Sequence, residues 1–161
     1  MVKFIQKTDL LAWLEGLMKE RTLVVPAKEE GVTRFRPVEK VADIVMASGS
    51  TDLSAKDWFF PPSEVLFTMS KVGGKAVITP KTMGKEAVLF GLHPCDAQGI
   101  ALMDLPFLAE PTDTLYAQKR EKTTLVGLAC RHACPECFCT SFGSGPFDSA
   151  YLDVLLIEAG E

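Results

Sequence analysis

The chain has 161 residues, 47% of them hydrophobic and 24% charged, with a net charge of −4. That length favours one domain with a real core, the composition excludes intrinsic disorder, and the acidic balance argues against general affinity for nucleic-acid phosphates. No apolar run reaches the roughly 20 residues that span a bilayer, and residues 1–8 lack the basic-then-apolar pattern of a secretory signal, so a cytoplasmic protein is expected.

In chain order, Leu10, Leu11, Trp13, Leu14, Leu17 and Met18 recur at helical spacing, which predicts a core-facing helix over Thr8 to Arg21. Thr8 is its expected cap, and Asp9 suits the positive end of its dipole. Leu23 to Pro26 and Val32 to Pro37 read as two strands joined by the polar Lys28-Glu29-Glu30-Gly31. Val38 to Met46 fits a strand or a short helix, and Ser48-Gly49-Ser50 a loop. Phe59-Phe60-Pro61-Pro62 reads as a stiff, extended entry to the next strand. Val65 to Met69 and Ala76 to Thr79 flank Gly73-Gly74 and predict a hairpin.

From Glu86 onward the pattern changes. Ala87-Val88-Leu89-Phe90 is a continuous apolar run ended by Gly91, as in a strand buried on both faces. His93-Pro94-Cys95-Asp96 follows as a turn, then Asp96 to Leu105 as a helix. Asp113 to Lys122 is a second, more polar helix, with Lys119-Arg120-Glu121-Lys122 as a solvated face. Thr123 to Ala129 is another apolar strand, and Leu152 to Glu158 a last one. Strand, helix, strand make a βαβ unit, so the expected fold is α/β, one domain over residues 1–161 with a mixed, mainly parallel sheet.

The chain has five cysteines, four of them between Cys130 and Cys139. In a reducing compartment, clustered thiols point to a metal or redox site instead of disulfides. Cys95 follows one strand of the βαβ unit and Cys130 the next, so parallel strands would bring both to the carboxyl edge of the sheet, where such folds place their sites. Cys134, Cys137 and Cys139 follow in the next loop. Four thiolates suit an iron–sulfur cluster or a tetrahedral zinc ion. Cys137-Phe138-Cys139 is tight for one zinc but workable for two irons of one cluster, which favours iron–sulfur. Asp96 opens a helix whose dipole would face an anionic cluster. Phe138, Phe142 and Phe147 are expected to shield the site, and amides of Gly143-Ser144-Gly145-Pro146 to reach its sulfurs. His93 and His132 read as loop histidines with their own partners. A redox thiol enzyme is disfavoured, because Cys134-Pro135-Glu136-Cys137 does not open a helix.

Gly91-Leu92-His93-Pro94-Cys95-Asp96, Val126-Gly127-Leu128-Ala129-Cys130 and Cys137-Phe138-Cys139-Thr140-Ser141, with Gly143-Ser144-Gly145-Pro146 and Phe60-Pro61-Pro62-Ser63-Glu64, together resemble the iron–sulfur β subunit of soluble NiFe hydrogenase/sulfur reductase, the sulfhydrogenases. A component of anaerobic sulfite reductase is similar. The resemblance covers roughly residues 55–160. It implies an electron-transfer component without bond-making chemistry of its own. One [4Fe–4S] cluster would sit on Cys95, Cys130, Cys137 and Cys139, the four matching positions. The implied partners are hydrogenase or reductase catalytic subunits and a flavin- or NAD(P)-binding electron-transfer subunit. The family's later ferredoxin-like segment, with two more clusters, has no counterpart here, so an excised domain or a short stand-alone relative is expected. Two departures stand out: His93 replaces the usual arginine, and Cys134 is extra. The alternatives are a zinc-stabilised protein-interaction module and a thiol-dependent oxidoreductase.

Overall fold

The computed structural model describes residues 3–46, 51–82 and 84–159. Among the described residues, seven strands and three α-helices run in the order α1 (Lys7–Glu20), β1 (Thr22–Glu29), β2 (Val32–Pro37), β3 (Phe67–Val72), β4 (Lys75–Pro80), β5 (Ala87–Leu92), α2 (Pro94–Phe107), α3 (Thr114–Glu121), β6 (Thr123–Leu128) and β7 (Val154–Leu156). The main sheet has the order β2-β1-β5-β6-β7. Only the β1–β2 pair is antiparallel, while β1–β5, β5–β6 and β6–β7 are parallel. This is the single α/β domain with a mixed, mainly parallel sheet that the apolar runs predict.

The sheet is buried on both faces, and the alternation of side chains along a strand sorts its residues between two cores. Leu23, Val25, Ala27, Val88, Phe90 and Val126 pack with Leu10 and Leu14 of α1 on one side. Val24, Leu89, Leu92 and Leu125 pack with Ile100 of α2 and Tyr116 of α3 on the other. The result is a three-layer arrangement. Burying Leu23, Val24 and Val25 in a row along β1 contributes on the order of 1.5–3 kcal/mol apiece before chain entropy is set against it. The β3–β4 hairpin forms its own two-stranded sheet, and every residue in it is exposed.

Several local expectations are corrected. Thr8 lies inside α1; Gln6 occupies the cap position, with no side-chain hydrogen bond. Of the two readings of Val38 to Met46, the short helix is met only as a three-residue 3-10 helix at Val41–Asp43, followed by a single bridge from Ile44 to Ala27. Phe59-Phe60-Pro61-Pro62 is not an extended entry: Phe59 closes a 3-10 turn over Ala55–Trp58 in helical conformation and is buried. Ser48-Gly49-Ser50 lies outside the described residues. The last strand is three residues long, shorter than Leu152 to Glu158.

Candidate metal centre

Cys95 owes its position to a break in β5. The strand runs on past Gly91, which has φ +94°, and the register with β6 shifts between Phe90 and Leu92. A Cβ at Gly91 would come within 3.0 Å of the Pro26 ring, so glycine meets both a backbone and a space requirement. The expected turn at His93-Pro94-Cys95-Asp96 is the start of α2 itself. His93 is the cap, Pro94 opens the helix, and Cys95 stands in its first turn. His93 and Asp96 close a capping box, with the His93 backbone N–H donating to Asp96 Oδ2 at 3.1 Å. Both side chains are thus occupied in holding the helix start that carries Cys95.

Cys130 lies two residues past the end of β6, the parallel neighbour of β5. The Ala129 N–H donates to the Leu156 carbonyl at 2.9 Å and the Cys130 N–H to the Pro146 carbonyl at 3.1 Å. Cys95 and Cys130 therefore share the carboxyl edge of the sheet, as the βαβ reading requires.

The loop carrying the other three cysteines is tied down at several points. Arg131 pairs with Glu158 at 2.6 Å, and Glu158 also pairs with Lys7. Cys139–Phe142 forms a 3-10 turn closed by Gly143 in the left-handed region, φ +70°. The Gly143 and Ser144 amides donate to the carbonyls of Thr140 and Cys139, at 3.3 and 3.2 Å. Those two amides are consequently not free for sulfur, against expectation. Gln98 of α2 donates to the Phe142 carbonyl at 3.4 Å, a tie between helix and loop that no sequence pattern signals. Phe138, Phe142 and Phe147 do not bury one another. They are 60–64% exposed, although the Phe138 and Phe142 rings lie 5.5 Å apart.

Burial and neighbouring groups shift the acidity of three of the thiols. Burial first, then the neighbouring thiols of Cys95, Cys137 and Cys139 and the Asp96 carboxylate, push Cys130 up to about 11. Cys95 is also raised, by burial and then by Asp96, with Cys139 contributing; backbone amides at the start of α2 act in the opposite sense. Cys134 is raised by its hydrogen bond to Cys137, whose sulfur is 2.9 Å away. Among the described residues, no group of three or more His, Cys, Asp or Glu side chains is arranged to hold a single metal ion. His132 is exposed on the loop. A cavity of about 50 Å³ lined by Phe35, Gly91, His93 and Asp96 lies beside α2's start, well below the ~300–1,000 Å³ typical of small-molecule pockets. No helix among the described residues is long and apolar enough to cross a membrane.

The face Lys119-Arg120-Glu121-Lys122 is not simply solvated. Lys119 pairs with Glu64 at 2.6 Å and donates to the Phe59 carbonyl at 3.2 Å. Arg120 and the Tyr116 hydroxyl both donate to Asp104, at 3.1 and 2.7 Å, clamping α3 to α2.

No family model and no solved structure matches the chain. Among curated proteins it is 30% identical over 121 residues to sulfhydrogenase 2 subunit beta of Pyrococcus furiosus, an alignment covering 74% of this chain and 34% of the relative. The chain thus spans about a third of the length of the curated relative it matches. The chain is therefore related in sequence to the sulfhydrogenase β subunit over most of its length.

Proposed function

We propose that this chain is an electron-transfer component of a hydrogenase/sulfur reductase type complex, holding one [4Fe–4S] cluster on Cys95, Cys130, Cys137 and Cys139. The observation that carries the reading is that the parallel neighbours β5 and β6 bring Cys95, at the start of α2, and Cys130 to one edge of the sheet, with Cys137 and Cys139 in the loop after β6. The upward shift of the Cys130 thiol, to which Cys95, Cys137 and Cys139 contribute after burial, is in keeping with it. The donor set fits the group. Four thiolates complete the ligation of a cubane cluster, each on a different iron, so they stand farther apart than donors crowded at about 2.3 Å around one zinc. The close sequence spacing of Cys137 and Cys139, tight for one zinc ion, favours the cluster over the zinc module.

When bound, such a cluster supplies reversible one-electron reduction. The chain's own residues do the rest. Gly91, the His93–Asp96 box and Gln98 orient α2 and the loop. Amides at the start of α2 favour negative charge on Cys95. The exposed Phe138, Phe142 and Phe147 leave the site accessible at the surface, as electron exchange with partner proteins requires. The proposed partners are a flavin- or NAD(P)-binding subunit on one side and hydrogenase or reductase catalytic subunits on the other.

Serine variants test the ligand set. Cys137→Ser should abolish the visible absorbance of anaerobically prepared protein, because a hard serine oxygen is a poor ligand in a sulfide cluster. Cys134→Ser should keep it, since four thiolates remain. Equal loss of metal in both variants would overturn the assignment.

A further inference from the structure

Cys134 is the one cysteine that the proposed ligand set leaves over, and it is not isolated. The Cys137 N–H donates to the Cys134 carbonyl at 3.0 Å, which makes Cys134-Pro135-Glu136-Cys137 a tight turn. Pro135 stiffens it by fixing φ at the position after Cys134. Such a turn holds its end Cα atoms within about 7 Å, overlapping the 4.4–6.8 Å span that a disulfide needs. The side chains already meet. The sulfurs are 2.9 Å apart, and the Cys134 N–H donates to Cys137 Sγ at 3.1 Å. Among the described residues no other pair of cysteine sulfurs is in hydrogen-bond contact. Cys137 is exposed and Cys134 half-buried, so a small oxidant reaches both.

We propose that Cys134 and Cys137 are a redox pair: whenever Cys137 is not held by the cluster, the two thiols close to a disulfide that withholds Cys137 from iron until the bond is reduced. The oxidant is a peroxide. One sulfur attacks the peroxide oxygen; an S–O bond forms, the O–O bond breaks, and one water leaves. The second sulfur attacks the first; an S–S bond forms, the S–O bond breaks, and the second water leaves. Two thiols and one hydrogen peroxide thus give one disulfide and two waters, the sulfurs supplying both electrons. A thiol reductant reverses the bond by exchange. Cys137 cannot serve the cluster and the disulfide together, so Cys134 makes loading of the site conditional on a reducing environment. The bond itself is inferred from the turn; its consequence for loading rests on the cluster reading.

The test uses the full-length chain, stripped of metal, reduced, and treated with equimolar hydrogen peroxide. Non-reducing peptide mapping should find Cys134 linked to Cys137 as the main product, with Cys95, Cys130 and Cys139 still open to alkylation. Oxidised protein should take up no iron and sulfide, and thiol reductant should restore uptake. In Cys134→Ser, the link at Cys137 should be absent. The proposal is overturned if the links formed join Cys95, Cys130 and Cys139 while Cys134 and Cys137 stay alkylatable. It is equally overturned if the Cys134–Cys137 bond coexists with an intact cluster. Failure of the reduced protein to assemble any cluster would strike the cluster reading instead, and the peptide map would still decide the disulfide.

Discussion

Cys130 shows how much one side chain can report. Its thiol is raised from the ordinary 9.0 to about 11 because burial and three nearby thiols disfavour the thiolate. The unfolded chain releases this proton near 9.0, whereas the folded chain holds it to about 11. The resulting stability is complete below the lower value and is lost as pH rises through the upper one. Metal-free protein should therefore unfold at progressively lower temperature between these two pH values. Cys130→Ala should show a smaller decline, since it lacks the group while the other titrating groups remain. Equal declines would mean that the thiol is not in this environment. Some single residues were legible in the sequence and others were not. Cys95 and Cys130 could be paired because each follows an apolar run. Lys119 and Arg120 looked solvated because their partners, Glu64 and Asp104, come from distant or separate elements. The Gly143 and Ser144 amides looked available because their carbonyl partners depend on a local 3-10 turn.

The elements that position the site depend on their junctions more than on their interiors. β5 and β6 were legible because continuous apolar runs are what a doubly covered parallel strand needs. The joint between β5 and α2 was not, because a bulge at a glycine reads in sequence like the end of a strand. In the structure Gly91 carries the chain through the bulge at φ +94°, against the Pro26 ring, and directly into the cap of α2. Gly91→Ala should cost about 1–3 kcal/mol from the backbone strain alone, measured by denaturant unfolding of the metal-free protein. It should also displace the start of α2 and weaken cluster retention. A variant as stable as the parent, within roughly 0.5 kcal/mol, would show that the bulge conformation is not required. Phe59-Phe60-Pro61-Pro62 makes the complementary point. The prolines suggest extension, yet burial of Phe59 between Ala55 and Tyr116 in the second core fixes a helical turn there.

Taken whole, the molecule separates its ends. The carboxyl edge of the parallel strands gathers the cysteine loop, the start of α2 and the exposed phenylalanines. The opposite edge opens a larger cleft of about 390 Å³, lined by Thr22, Trp58, Glu64, Lys81 and Lys119 and by no cysteine. All five thiols belong to one end, and the layered core serves to hold that end in place. The proposal places one [4Fe–4S] cluster on four cysteines at this end. It is tested most directly by measuring iron, zinc and acid-labile sulfide in anaerobically prepared protein, together with its low-temperature electron paramagnetic resonance after reduction. The expected result is brown protein with equal iron and sulfide, one [4Fe–4S] unit per chain, and a signal lost in Cys95→Ser and Cys130→Ser. Colourless protein carrying zinc without sulfide, or iron and sulfide unaffected by either substitution, would contradict it.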